Sequence, residues 1–172
     1  EISQLCQPMA GNSTCHGGTL PGMQEYVYTG TVNLPPCNYW NISWTAIYRN
    51  GAIENLDDPG NKNIYLEAQI NTLDAPCQES PRFTNAAIPY VCAGYPISYS
   101  YGAYDPDNDS LTYTFISARN VGGIVLPYVS PYNGAEPIPG ITLDPVTGQV
   151  NFTLNQVGNW VVVVRVDRYD SN

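Results

Sequence analysis

Almost nothing in this sequence recurs with helical spacing. No long segment carries apolar residues at a 3.6-residue period, which excludes long amphipathic helices and the bundles built from them. Basic residues are scarce: six Lys and Arg stand against fifteen Asp and Glu, a formal net charge of −9. Phosphate backbones and anionic membranes are held through Lys and Arg, so the composition argues against both as partners. Divalent cations and neutral polar partners such as glycans fit it better. Charge of either sign is sparse, at 12% of residues, about half the usual share. Solubility therefore rests on Asn, Thr, Ser, Gln and Tyr. No apolar run approaches the ~18 residues of a spanning helix, and no segment has the order of a signal peptide. The first residues, "EISQLCQPM", and the last, "VDRYDSN", lead to the expectation that the chain is a piece of something longer.

Catalytic chemistry is poorly provided for. The single histidine, His16, lies in a Gly-flanked loop, and no Gly-x-Ser-x-Gly or Gly-rich phosphate loop is present. Glu is scarce and sits in turns or alternating strands, so a glycosidase carboxylate pair has little support. The expectation is a protein that is not an enzyme. Five cysteines, Cys6, Cys15, Cys37, Cys77 and Cys92, include no Cys-x-x-Cys pair. That argues against structural zinc and for an extracellular disulfide protein. Five is odd, so one thiol is free or has lost its partner. Cys6 and Cys15 bracket a turn-rich stretch and could form a local staple. Cys37 could meet Cys77 through antiparallel pairing of the strands beside them, with Cys77–Cys92 as the competing choice.

What is present is β chemistry. Fourteen Tyr and three Trp suit strands, and fifteen Gly and fifteen Pro, spread along the chain, read as turns. "EYVYTGTVNL" alternates, as does "YWNISWTAIYRN", which puts Trp40, Ile42, Trp44, Ala46 and Tyr48 on one face. "NIYLEAQIN" puts Ile64, Leu66, Ala68 and Ile70 together. The proline-rich "TLDAPCQESPRFTNAAIPYVCAGYP" reads as a linker or a long edge segment. Beyond it come "ISYSYGAY", "SLTYTFISA", "GITLDPVTGQVNFTL" and "GNWVVVVRVDRY". "LDPVTGQVNF" is a hairpin, with Pro145 starting the turn and Gly148 supplying positive φ. "WVVVVRV" reads as a central strand covered on both faces. The expected fold is all-β: two tandem β-sandwich domains, over residues 1–82 and 83–172.

The most distinctive stretch is "YDPDNDSLTY". Asp105, Asp107 and Asp109 alternate directly before a strand. Calcium takes six to eight oxygen ligands, and a turn at Pro106 and Asn108 could fold the three carboxylates around an ion. Without a cation the same residues make a solvated polar turn. No Gly or Glu follows at EF-hand offsets. Asp167 and Asp170 could contribute if the fold brings them close. The tyrosines Tyr26, Tyr28, Tyr99, Tyr101 and Tyr113 could stack on sugars, or be half-buried sandwich residues with hydroxyls at the rim. An alternating strand could also be donated to, or accepted from, a neighbouring subunit, making the chain a filament protomer.

Two stretches, "GAYDPDNDSLTYTFISA" and "PGITLDPVTGQVNFTLNQVGNWVVVVRVDRYD", resemble the cadherin-like and immunoglobulin-like domains of bacterial surface proteins. "GGTLPGMQEYVYTGTVNLPPCNYWNISW", "YRNGAIENL", "NIYLEAQIN" and "PCQESPRFTNAAIPYVC" look like the region that often precedes such a domain in large secreted proteins of Bacteroidota. Those proteins commonly end in a gliding-motility-associated or type IX secretion C-terminal domain. The resemblance implies export to the cell surface and a role as adhesin, stalk or fibre, with neighbouring domains or subunits, glycans or surfaces as partners. Cadherin-like modules use similar Asp-x-Asp runs for calcium, which makes Asp105, Asp107, Asp109 and Asp167 the implied ligands and Ca2+ the implied cofactor. "DSL" resembles the O-glycosylation signal of that phylum, with Ser110 as acceptor. In that setting most of the sequons at Asn12, Asn41, Asn108 and Asn151 are read as chance. Family members often carry a further cysteine near "YRN", where this chain has Ile47 and Tyr48, so the resemblance names no partner for Cys37.

Overall fold

The computed structural model describes residues 11–20, 22–85 and 90–169. Among them there is no α-helix; nine strands and a few 3-10 turns make up the regular structure. The all-β expectation holds. Among the described residues no helix is long and apolar enough to cross a membrane.

Among the described residues four small antiparallel sheets form. Strands β1 (Trp40–Ala46) and β2 (Ile64–Ile70) pair as a ribbon, with Trp40 opposite Ile70 and Trp44 opposite Leu66. Strands β3 (Arg82–Phe83) and β5 (Ala103–Tyr104) pair briefly, placing part of the proline-rich stretch against the C-terminal half. Strand β4 (Pro96–Ser100) pairs with β8 (Gln149–Thr153), which also carries β7 (Thr142–Leu143). Strand β6 (Ser110–Phe115) pairs with β9 (Val164–Tyr169).

The expected hairpin is the link between β7 and β8. Asp144 Oδ1 accepts from the amides of Val146 and Thr147 at 2.8 and 2.9 Å, and Gly148 takes φ 68° to re-enter the ladder. Those two amide bonds, Thr147 first, hold the Asp144 carboxyl below its ordinary pKa. A side chain at 148 would also meet the ring of Tyr113 at 2.6 Å. Tyr113 is buried and donates its hydroxyl to Ala103 O at 3.2 Å.

Two buried clusters form the core. One gathers Leu56, Ala118 and Leu126, with Ile53, Tyr128, Val161 and Val163 against it. The other gathers Ile138, Ile141 and Val150, with Phe115, Phe152, Trp160 and Val162 among its partners. The run "WVVVVRV" is therefore apolar for a clear reason. Its residues alternate, Val161 and Val163 into the first cluster, Trp160 and Val162 into the second. The run differs from a central strand in one respect: the ladder begins only at Val164 and has β6 on one side.

The first cluster joins residues from both sides of the expected boundary at 82/83. Residues 53–57 lie between the chain at 127–129 and at 159–161. Leu56 bridges Tyr128, and Ile53 bridges Asn159. Asn55 is fully buried there; its amide donates to Pro137 O and Val161 O, each at 2.9 Å, and accepts from Val161 N at 3.0 Å.

One expected strand is not formed. "EYVYTGTVNL" is without secondary structure, and no backbone hydrogen bond reaches residues 26–34 from any described residue. Alternation supplies the pattern of a strand, but a strand needs a neighbour to satisfy its amides.

Candidate functional site

The three aspartates converge. Asp105 leads a turn in which its carbonyl accepts from Asn108 N at 3.2 Å. Pro106 suits the second turn position through its fixed φ, and Asn108 takes the left-handed conformation, φ 65°. Asp105 Oδ1 then accepts from the amides of Asp107 at 2.9 Å and Asp109 at 3.3 Å. This closes the loop and brings one oxygen from each of the three carboxylates within 4.8 Å of the others.

The three are not equivalent. Asp105 is 7% exposed, and its Oδ2 is buried with no hydrogen-bond partner. Asp107 is exposed and accepts from Glu79 N at 2.7 Å. Asp109 Oδ2 accepts from Arg168 Nη1 at 3.1 Å. At a 4.8 Å separation, each carboxylate pair repels by about 0.9 kcal/mol in water and about 3.5 kcal/mol at an effective dielectric of 20. One guanidinium offsets part of this.

Oxygens around a calcium ion lie ~2.3–2.6 Å from it, so no two are separated by more than about 5 Å. The 4.8 Å spacing meets that limit, and the donors are all hard oxygen. The unpartnered, buried Oδ2 of Asp105 is the kind of atom a cation satisfies. The residues present fit a divalent cation, with Asp105, Asp107 and Asp109 to hold it.

Asp167 does not join them. It lies on β9 opposite Thr112, and its carboxylate accepts from Arg165 Nε at 2.8 Å. Asp170 is outside the described residues. The sequence reading weighed carboxylates alone and missed Arg168. The available signal was the charged "RVDRYD" at the end of a strand able to pair with "SLTYTF". Ser110 is exposed at the start of β6, next to Asp109.

No disulfide links Cys15, Cys37, Cys77 or Cys92, and Cys6 lies outside the described residues. Cys37 sits beside β2's end, where its carbonyl accepts from Thr72 N at 2.8 Å and Leu73 N at 3.2 Å. Its sulfur contacts the backbone of Tyr39, not Cys77.

The aromatic residues divide. Tyr26 and Tyr28 are exposed and Tyr113 is buried. Tyr99 and Tyr101 stack edge to face at 5.2 Å, and burial pushes the Tyr101 phenol pKa up. These two line a groove with Tyr90, Phe152 and Trp160. The Trp160 indole N–H is buried without a partner.

No family model, curated protein or solved structure matches this chain.

Proposed function

We propose that the chain is a non-enzymatic structural and adhesive module of a large exported bacterial surface protein. Two tandem immunoglobulin-like units are its architecture, and a divalent cation at the aspartate turn, calcium by preference, stiffens it. The observation that carries the cation is the buried, unpartnered Asp105 Oδ2 beside two further carboxylates within 4.8 Å. The acidic, Tyr-rich, all-β composition and the resemblance to Bacteroidota surface proteins support the setting. A weak extracellular affinity, roughly 10⁻⁴ to 10⁻³ M, is expected for a site with so few protein carboxylates.

The test is a melting curve with 2 mM Ca2+ and with excess EGTA, for the wild type and for Asp105→Asn/Asp107→Asn. A millimolar concentration near or above Kd stabilises by RT ln(1 + [L]/Kd), roughly 0.6–1.8 kcal/mol over that affinity range. For a domain of this size that is about 2–6 °C in Tm. The rise should vanish in the double variant. Equal midpoints with and without calcium in the wild type would leave a solvated turn closed by Asp105 and Arg168.

A sugar-binding reading is favoured by one observation: Tyr90, Tyr99, Tyr101 and Trp160 line one groove, with an indole N–H lacking a partner. A glycan array separates the two readings, since the first requires no signal that Trp160→Phe abolishes.

A further inference from the structure

The ribbon of β1 and β2 is turned the wrong way round for a finished core. One face is apolar across the whole register: Trp40 opposite Ile70, Ile42 opposite Ala68, Trp44 opposite Leu66, Ala46 opposite Ile64. The other is polar: Asn41 opposite Gln69, Ser43 opposite Glu67, Thr45 opposite Tyr65. The polar face is the one that meets the rest of the molecule, through the Glu67–Arg119 ion pair. The middle of the apolar face is open, with Ile42 46%, Trp44 54% and Leu66 56% exposed, while Trp40, Ala46, Ile64 and Ile70 at its ends are partly buried. A two-stranded ribbon is marginal on its own and needs a third strand or a packed face. Among the described residues β1 pairs with β2 alone.

The same chain holds a segment with the pattern of a strand and no sheet to join. Residues 26–34 alternate Tyr26, Tyr28, Val32 and Leu34 about Gly30. Tyr26, Val27, Tyr28 and Val32 are 68–85% exposed. The segment makes no backbone hydrogen bond to its own β1, and the chain between them bends at Pro36 and Asn38 without a hydrogen-bonded turn. Residues 35–37 are held beside the end of β2. Pro35 O accepts from Trp40 Nε1 and Thr72 Oγ1, at 3.1 and 3.0 Å, and Cys37 O accepts from Thr72 N. Pro35 and Pro36 stiffen that path.

We propose that the partner is a second copy of this chain. Residues 26–34 of each copy add along the free edge of the other's β1, and the two widened apolar faces close on each other. The area argues for exchange over simple face contact. A ribbon seven residues long presents a footprint of about 23 by 10 Å, roughly 230 Å². Stable interfaces bury about 800 Å² per partner. Two exchanged segments supply the missing contact, and reciprocity gives the two-fold symmetry common to dimers. The inference is independent of the cation site, which lies on the turn before β6.

The test is light scattering of the 172-residue chain across about 1–200 μM, with Gly30→Pro and Thr31→Pro variants. Adjacent residues of a strand point their amides to opposite edges, and residues 30 and 31 make no described hydrogen bond, so one of the two prolines removes a donor to the partner without disturbing the monomer. The expected result is a dimer whose Kd rises by about 100-fold or more in at least one proline variant. A Val157→Ser control, at the most exposed large apolar residue, leaves it unchanged, and so does EDTA. A monomer at all concentrations overturns the proposal, as does a dimer indifferent to both prolines. Hydrogen-exchange protection of residues 26–34 in a monomer overturns it too, in favour of pairing within one chain. A dimer lost in EDTA alone assigns association to the aspartate turn and overturns it as well.

Discussion

Asn55 offers the sharpest check on how the two halves of the chain are held together. Its side chain is fully buried, 106 residues away in sequence from Val161, whose carbonyl and amide it binds. It also donates to Pro137 O, at a residue that is itself fully buried. Asn55→Ala removes three hydrogen bonds worth about 0.5–1.5 kcal/mol each and strands the Pro137 carbonyl at about 1–3 kcal/mol. Allowing water to reach the half-buried Val161 groups, a loss near 3 kcal/mol is expected, or about 6–12 °C in Tm for a chain of this length. Urea unfolding should show a lower midpoint at unchanged m. Asn55→Asp discriminates the cause. It nearly preserves volume and keeps an acceptor for Val161 N, but turns the donor toward two carbonyls into a third oxygen. At pH 8 it should be at least as damaging as Ala. An Asp variant milder than Ala, or an Ala variant losing under about 1 kcal/mol, would refute the clamp.

Two further outcomes follow from local geometry. Gly148→Ala places a Cβ 2.6 Å from the buried Tyr113 ring at φ 68°, whereas Gly140→Ala, at φ 72°, meets open space. Both suffer the left-handed penalty of about 1–2 kcal/mol; only Gly148→Ala should lose more, which denaturant midpoints of the two variants will compare. Glu67 is held below the ordinary carboxylate pKa, chiefly by the Asn41 hydrogen bond, then by Tyr65 and Arg119. A depressed folded pKa means that the unfolded chain binds more protons on acidification. The Glu67 contribution is therefore complete above the ordinary Glu range and is lost as pH falls through the folded value. Glu67→Gln should flatten the decline of the urea midpoint between pH 5 and pH 3; an unchanged slope counts against this assignment.

Much of the candidate site was legible because its chemistry is local. Pro106 and Asn108 dictate a turn, and a turn of that length brings Asp105, Asp107 and Asp109 within 4.8 Å. The "LDPVTGQVNF" hairpin was legible for the same reason, since Asp144 and Gly148 stabilise it from inside. Arg168 on Asp109 was not, because a residue 59 positions away arrives only through the β6–β9 ladder. The burial of Asp105 likewise depends on what packs over the turn.

Composition and alternation by themselves determined that this chain is β-structure: period-two patterning sorts side chains onto two faces wherever a strand forms. They did not determine which strands find partners. Residues 26–34 alternate as well as residues 40–46, yet only the latter are in a ladder. Tertiary structure alone decided that residues 53–57 thread the C-terminal core, that 160–163 divide between two clusters, and that the ribbon turns its apolar face outward. Each depends on contacts across long sequence separations, whose closure a local pattern does not encode.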